Sequence, residues 1–249
     1  MPFTASIIVS KLANSSNLDV FHKIKEGVDK GLFELAIHGY RHINHSKLSK
    51  EEQESDFSNA TAKLEYLFGK RADIFIPPYN NFNLHTIEAL SDLNISLISG
   101  IPDIESTTLN PYNNKTLLVT NNSKMEVSRV SDKKPLVYHA PYTLSFYALH
   151  REHKLFGDDL VQEVLRLIDE SIARYGYAQI RLHPFDFAQV RLNSSGLPQD
   201  PDLSSGPFDN KLDETKFQEL TKIIDILLGK NIRITSLREI YPPYAKPLL

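Results

Sequence analysis

Short apolar runs rich in β-branched residues alternate along this chain with longer amphipathic stretches, and that alternation leaves few folds open. The runs span 4–10, 33–38, 73–76, 95–99, 135–139, 177–182 and 232–235. Strands separated by helix-length segments cannot pair as tight hairpins, so the repeat builds a parallel sheet with helices laid against it. Helices are expected at 18–30, 49–68, 84–93, 158–175 and 212–229. The first follows Asn17 as N-cap and stops at Gly31; the second opens on Ser49-Lys50-Glu51-Glu52, a capping-box pattern, and stops at Gly69. Leu160, Val164, Leu167 and Ile168 recur at helical spacing, as do Phe217, Leu220, Ile224 and Leu227. With 249 residues, no internal repeat and no linker, residues 1–249 are expected to form one α/β domain of barrel type. Residues 100–134 and 184–211, rich in small polar residues, read as long loops of the kind that line sites.

Composition narrows the chemistry. A formal net charge of −3 gives no excess of cations to track a phosphate backbone, so no nucleic-acid partner is expected. The chain has no cysteine, which removes disulfides, thiolate ligands and a thiol nucleophile and leaves any metal to His, Asp or Glu. No apolar run approaches the ~18 residues of a membrane span. The opening Met1-Pro2-Phe3-Thr4-Ala5-Ser6 has no charged n-region and reads as the approach to a strand, so the chain as given is expected in the cytoplasm, or outside the cell if a segment precedes it.

The chemistry-bearing residues sit where expected strands end. Phe33-Glu34-Leu35-Ala36-Ile37-His38-Gly39-Tyr40-Arg41-His42 delivers two histidines four apart. If the chain turns helically there, both imidazoles can reach one cation; two solvent-facing histidines is the competing reading. His45, three residues on, is open to reading as a third ligand, but a surface position is the favoured expectation. Next, Phe75-Ile76-Pro77-Pro78-Tyr79-Asn80 ends a strand on two prolines, whose fixed φ makes a stiff turn carrying Tyr79 and Asn80. Val137-Tyr138-His139-Ala140-Pro141-Tyr142 and Ile180-Arg181-Leu182-His183-Pro184-Phe185 each end in histidine. In parallel α/β folds ligands gather at the strand C-termini, so His38, His42, Tyr79, His139 and His183 are expected on one rim.

Taken in order, these motifs resemble the polysaccharide deacetylase family, also called the NodB-homology family or carbohydrate esterase family four. His38-Gly39-Tyr40-Arg41-His42 is similar to that family's His-[Ser/Thr]-x-x-His metal motif, with Gly39 departing at its second position. Phe75-Ile76-Pro77-Pro78-Tyr79 is similar to its Arg-x-Pro-Tyr region, with Ile76 where an arginine is usual. Leu182-His183-Pro184 resembles the late motif that supplies the catalytic acid, and Ile232-Arg233-Ile234-Thr235-Ser236-Leu237-Arg238-Glu239 the last strand and its Thr-Leu-x-Glu turn.

The resemblance implies a distorted (β/α) barrel of about seven strands and a divalent cation, zinc, held by His38 and His42 with a carboxylate. It implies His183 as the proton donor to the leaving group, and Tyr79, Asn80, His139, Tyr142 and Phe185 as residues binding an acetylated carbohydrate. In the family a strand bearing Thr-Phe-Asp-Asp precedes the segment that residues 3–10 resemble. Either an upstream segment supplies those aspartates, or Asp103, Asp186, His139 or His183 stands in for them, or the chain is a non-catalytic carbohydrate-binding or scaffold protein. A strand 4–10 without that neighbour leaves a sheet edge, which makes a homo-oligomer one expected outcome.

Overall fold

The computed structural model describes residues 2–12, 18–102, 127–128, 137–140, 143–151, 153–190 and 208–240. By its contacts the chain divides into two compact units, residues 1–141 with 234–249, and residues 142–233.

In the first unit the strands are β1 (Phe3–Ile7), β2 (Phe33–Ile37), β3 (Ile74–Phe75), β4 (Asn81–Phe82), β5 (Leu97–Ile98), β6 (Ile101–Pro102), β7 (Val127–Ser128) and β8 (Val137–His139). The helices among them are α1 (Val9–Leu12), α2 (Leu18–Asp29), α3 (Lys50–Phe68) and α4 (Leu84–Asp92). Six strands form one sheet in the order β1-β2-β3-β5-β8-β7. All neighbours run parallel except β7, which is antiparallel to β8. β1 and β2 pair in full register from Phe3 opposite Phe33 to Ile7 opposite Ile37. β4 and β6 form a separate parallel pair.

Apolar residues bury both faces of this sheet, which is why its strands read as nearly continuous apolar runs and not as alternating ones. On one face Leu35, Ile37, Phe75, Ile98 and Val137 pack with Phe57, Ala60, Leu64 and Phe68 of α3 and Ile87 and Leu90 of α4. On the other, Ala36, Ile74 and Leu97 meet Ala140 and Leu237. Helix ends follow the sequence signals. Ser49 accepts a hydrogen bond from the Glu52 amide while the Glu52 carboxylate accepts one from the Ser49 amide, closing the capping box, and Gly69 at φ +65° stops α3. Asn83 and Thr86 make the same reciprocal cap at α4. The expected cap Asn17 lies outside the described residues.

The second unit contains β9 (Leu144–Ser145), α5 (Phe146–Arg151), α6 (Gly157–Tyr175), β10 (Ile180–Arg181), β11 (Ala188–Val190), β12 (Phe208–Leu212) and α7 (Glu214–Gly229). β9 and β10 pair parallel, β11 and β12 antiparallel. Leu160, Val164 and Ile168 of α6 and Ile223 and Leu227 of α7 are buried. Among them sits a buried polar pair, with His150 Nε2 donating to Glu219 Oε2 at 3.1 Å.

Five of the seven expected strands lie in the six-stranded sheet and the sixth pairs with β9. The seventh does not form: residues 232–236 have no strand pairing, and the chain enters α8 (Leu237–Ile240) directly. Side-chain hydrogen bonds hold the start of α8. The Leu237 amide donates to Thr4 Oγ1 at 2.9 Å and the Arg238 amide to Glu34 Oε1 at 2.9 Å. Among the described residues no helix is long and apolar enough to cross a membrane.

Candidate functional site

β2, β3, β5 and β8 end together on one edge of the first unit's sheet, and the residues that follow them converge. The His38 amide continues the β1–β2 ladder by donating to Ile7 O at 2.9 Å, and the Ile76 amide donates to Ile37 O at 3.0 Å. Beyond the last of these bonds the His38 ring turns onto the neighbouring strand, with Nδ1 donating to Ile76 O at 2.5 Å. A backbone carbonyl can only accept, so this contact fixes the proton on Nδ1 and makes Nε2 the lone-pair nitrogen. A carbonyl behind one ring nitrogen is the usual support of a metal-ligating imidazole.

The His38 and His42 ring centroids lie 5.1 Å apart, and the His42 ring lies 5.0 Å from that of Tyr79. The approach is not made by the helical turn that the i,i+4 spacing suggested. Residues 38–44 form an irregular bend, and its pivot is Gly39 at φ +77°. A Cβ on Gly39 would fall 2.7 Å from Arg41 O and from His45 Cε1, and 2.9 Å from Asp56 Oδ2. The departure from serine or threonine at this position therefore follows from a left-handed backbone with no room for a side chain.

Pro77 and Pro78 make the stiff turn expected of them. Tyr79 and Asn80 both take positive φ, 58° and 63°, and Tyr79 is exposed beside His42. Gly100, after β5, lies directly beneath: a Cβ there would be 2.5 Å from Pro77 Cγ and 2.8 Å from Asn80 O. His139, at the end of β8, is buried against Phe82, and its Nε2 donates to Gly100 O at 2.8 Å. Burial holds its pKa below the ordinary histidine value, opposed by that hydrogen bond.

His45 corrects a surface expectation. It is fully buried, stacked on Phe57 at 4.9 Å and edge-on to Phe75 at 5.3 Å. Its Nε2 donates to Asp56 Oδ2 at 3.0 Å, and that oxygen also accepts the Tyr40 amide at 2.7 Å. Burial is the largest influence on Asp56 and pushes its pKa up. The hydrogen bonds from His45, the Tyr40 amide and Arg41 together outweigh it and hold the carboxyl below the ordinary range. Asp56 was not singled out from sequence. The signal was there: Gln53 and Asp56 sit on the stripe of α3 that otherwise buries Phe57, Ala60, Leu64 and Phe68, and a carboxylate on a buried stripe needs partners.

His183 belongs to the second unit. It follows β10, and its amide donates to Asp186 Oδ2 at 2.7 Å, the same oxygen lying 3.7 Å from its Nδ1. Phe185 falls in the short turn Pro184–Phe187. Tyr142 and Asp103 lie outside the described residues. Two imidazoles supply two of the positions a cation needs; among the described residues no third His, Asp or Glu joins them in a cluster able to hold one.

Residues 4–98 match the polysaccharide deacetylase family model, as the motif resemblance implied. Among solved structures the chain is similar to a CE4 family pseudoenzyme from Bacillus anthracis, at 14% identity over 96% of this chain and 64% of that one with a TM-score of 0.51. A mutant of that pseudoenzyme with restored enzymatic activity matches with a TM-score of 0.55, again at 14% identity, over 96% of this chain and 57% of that one. An allantoinase matches with a TM-score of 0.57 at 14% identity, over 95% of this chain and 64% of that one. These likenesses establish the fold, a mixed α/β architecture on a parallel sheet shared with CE4 family pseudoenzymes and an allantoinase. The chain spans about three fifths of the length of these structures. No curated protein matches it.

Proposed function

We propose that this chain, whose residues 4–98 match the polysaccharide deacetylase model, is a metal-dependent hydrolase that removes acetyl groups from an N- or O-acetylated carbohydrate. One observation carries the reading: the His38 and His42 rings lie together on the sheet's C-terminal edge, with the His38 tautomer fixed by Ile76 O. That arrangement suits two imidazole ligands of one divalent cation, and zinc is the cation we assign. When bound, such an ion polarises an acyl carbonyl and lowers the pKa of a bound water.

The chain's own residues divide the remaining work. His38, its Nδ1 proton held by Ile76 O, turns Nε2 outward, and the His42 ring lies beside it next to Tyr79. Tyr79 and Asn80 ride on a turn that two prolines and Gly100 keep from shifting, which suits them to hold a substrate in place. His139, buried and donating to Gly100 O, stays neutral and braces the same turn from below. We assign proton donation to the leaving group to His183, and sugar-ring stacking to Tyr142 and Phe185.

The test is a Zn²⁺ titration by calorimetry of the parent chain, His38→Ala and His42→Ala, with acetate release from an N-acetylated glucosamine oligomer measured in parallel. Saturable binding in the parent that both variants lose, with acetate released, is the expected result. Metal bound and sugar bound without acetate release favours the non-catalytic carbohydrate-binding reading. Equal metal content in parent and both variants overturns the site.

A further inference from the structure

We infer that Asp56 is the positioning residue of this site: its carboxylate, backed by His45, holds the Gly39–Arg41 bend and so sets the spacing of the His38 and His42 imidazoles. The inference rests on the metal-site reading above and adds to it a residue that never touches the cation.

The bend is gripped at successive peptide groups. The Gly39 carbonyl accepts from the Val9 amide at 3.5 Å and the Tyr40 carbonyl from the Ser10 amide at 3.0 Å, both from the start of α1. The Tyr40 amide, between the two histidines, has as its acceptor a side chain and not a strand or helix carbonyl, namely Asp56 Oδ2. The other carboxylate oxygen lies 3.4 Å from Arg41 Nε. Three donors from residues 40, 41 and 45 therefore close on one carboxylate whose side chain is 1% exposed. Those contacts turn Asp56 toward the inner side of the bend, where Gly39 has no room for even a methyl group.

A buried carboxylate is an expensive means of stabilising a fold. Apolar residues of similar volume in place of a buried ionic group are often neutral or stabilising. Its use here is geometric. Gly39 in the left-handed region turns the Tyr40 amide inward and away from any ladder, and only a fixed acceptor at that point keeps the bend in one conformation. His45 holds that acceptor: wedged between Phe57 and Phe75, it fixes Asp56 Oδ2 through Nε2, while its buried Nδ1 has no hydrogen-bond partner. The ring is thus committed to the carboxylate alone. Outer partners of this kind typically carry a 10–100-fold effect on metal affinity.

The experiment uses the whole chain and two readouts. Co²⁺ is titrated by visible absorption into the parent, Asp56→Ala, Asp56→Asn and Ser49→Ala, with folding of each confirmed by circular dichroism. Ser49→Ala weakens the cap of the same helix without touching the bend and controls for loss of stability. Hydrogen exchange of the Tyr40 amide is followed in the metal-free proteins. The expected result is a roughly 10–100-fold weaker Co²⁺ affinity in Asp56→Ala. Asp56→Asn, which keeps one acceptor oxygen, loses less; Ser49→Ala binds like the parent; and Tyr40 exchanges faster in Asp56→Ala than in Ser49→Ala. Parent-like Co²⁺ affinity in a folded Asp56→Ala or Asp56→Asn overturns the inference. If the parent itself binds no Co²⁺, the metal reading fails. Exchange then decides the positioning role alone, and a Tyr40 amide equally protected in Asp56→Ala and the parent overturns it.

Discussion

Gly39 shows how much of the site depends on one backbone angle. Its φ of +77° and the 2.7–2.9 Å distances that a Cβ would make to Arg41 O, His45 and Asp56 act together. Gly39→Ala is expected to destabilise the first unit by roughly 1–3 kcal/mol, the usual size of such strain, and to separate the two imidazoles. Urea unfolding measures the first effect; a variant as stable as the parent would mean that the bend can relax. His139 makes a second prediction, about pH. Its folded pKa is depressed by burial, so the unfolded chain takes up the proton more readily. The stability this contributes is fully present above the unfolded value of ~6.5 and is lost as pH falls below it. His139→Gln, which can still donate to Gly100 O, should flatten the fall of unfolding free energy as pH drops below about 6.5. A slope equal to the parent's would assign that acid sensitivity to other groups.

Among the helices, α3 joins the core to the site. Its outer end is fixed by the Ser49–Glu52 capping box, and its inner face carries Phe57 beneath His45 and Asp56 one residue before it. Ser49→Ala should cost about 1 kcal/mol, the typical value of an N-cap hydroxyl, seen as a lowered unfolding midpoint with the site intact. Phe57→Ala is a different kind of change. It opens a cavity among Phe75, His45 and Leu64 and should cost about 3–5 kcal/mol, removing at once the surface against which His45 is stacked. Near-infrared or near-ultraviolet signals are not needed to tell them apart: the Tyr40 amide should stay protected from exchange in the first variant and lose protection in the second. Equal protection in both would separate the core from the bend.

At the scale of the molecule, the described structure draws residues far apart in sequence onto two opposite edges of one sheet. The C-terminal edge gathers His38, Ile76, Tyr79, Gly100 and His139. The N-terminal edge gathers Thr4, Glu34 and Asp73, and Arg238 from near the end of the chain ties them together. Glu34 accepts from the Thr4 hydroxyl at 2.6 Å and from the Arg238 amide at 2.9 Å, and the Arg238 guanidinium also pairs with Asp73. Glu34→Ala strips the acceptor from two partly buried donors. It should cost about 1–3 kcal/mol and release the α8 segment, which limited proteolysis would detect as early cleavage beyond residue 233. An α8 segment as resistant as in the parent would assign its docking to Leu237 packing instead.

Local physics made much of this protein legible in its sequence. The caps at Ser49 and Gly69, the stiffness of the Pro77-Pro78 turn, the positions of β1, β2, β3, β5 and β8 and the gathering of His38, Tyr79 and His139 at strand ends all follow from hydrogen-bonding and steric rules that act within a few residues. The runs 38–42 and 75–79, which lie inside the stretch matching the polysaccharide deacetylase model, were readable for the same reason, since each is a short run at a strand end. Other features needed the tertiary structure. Residues 232–235 have strand composition, but a strand requires a partner, and the side chains of Thr4 and Glu34 hold only the amides of Leu237 and Arg238 that follow. The i,i+4 spacing of His38 and His42 suggested a helical turn, whereas the left-handed backbone at Gly39 and the hydrogen bond from the Tyr40 amide to Asp56 make a bend. His45 looked like a surface residue because nothing nearby in sequence reveals that Phe57, Phe75 and Asp56 close around it. Burial of a polar group depends on partners contributed by other elements, and only the folded chain brings those partners together.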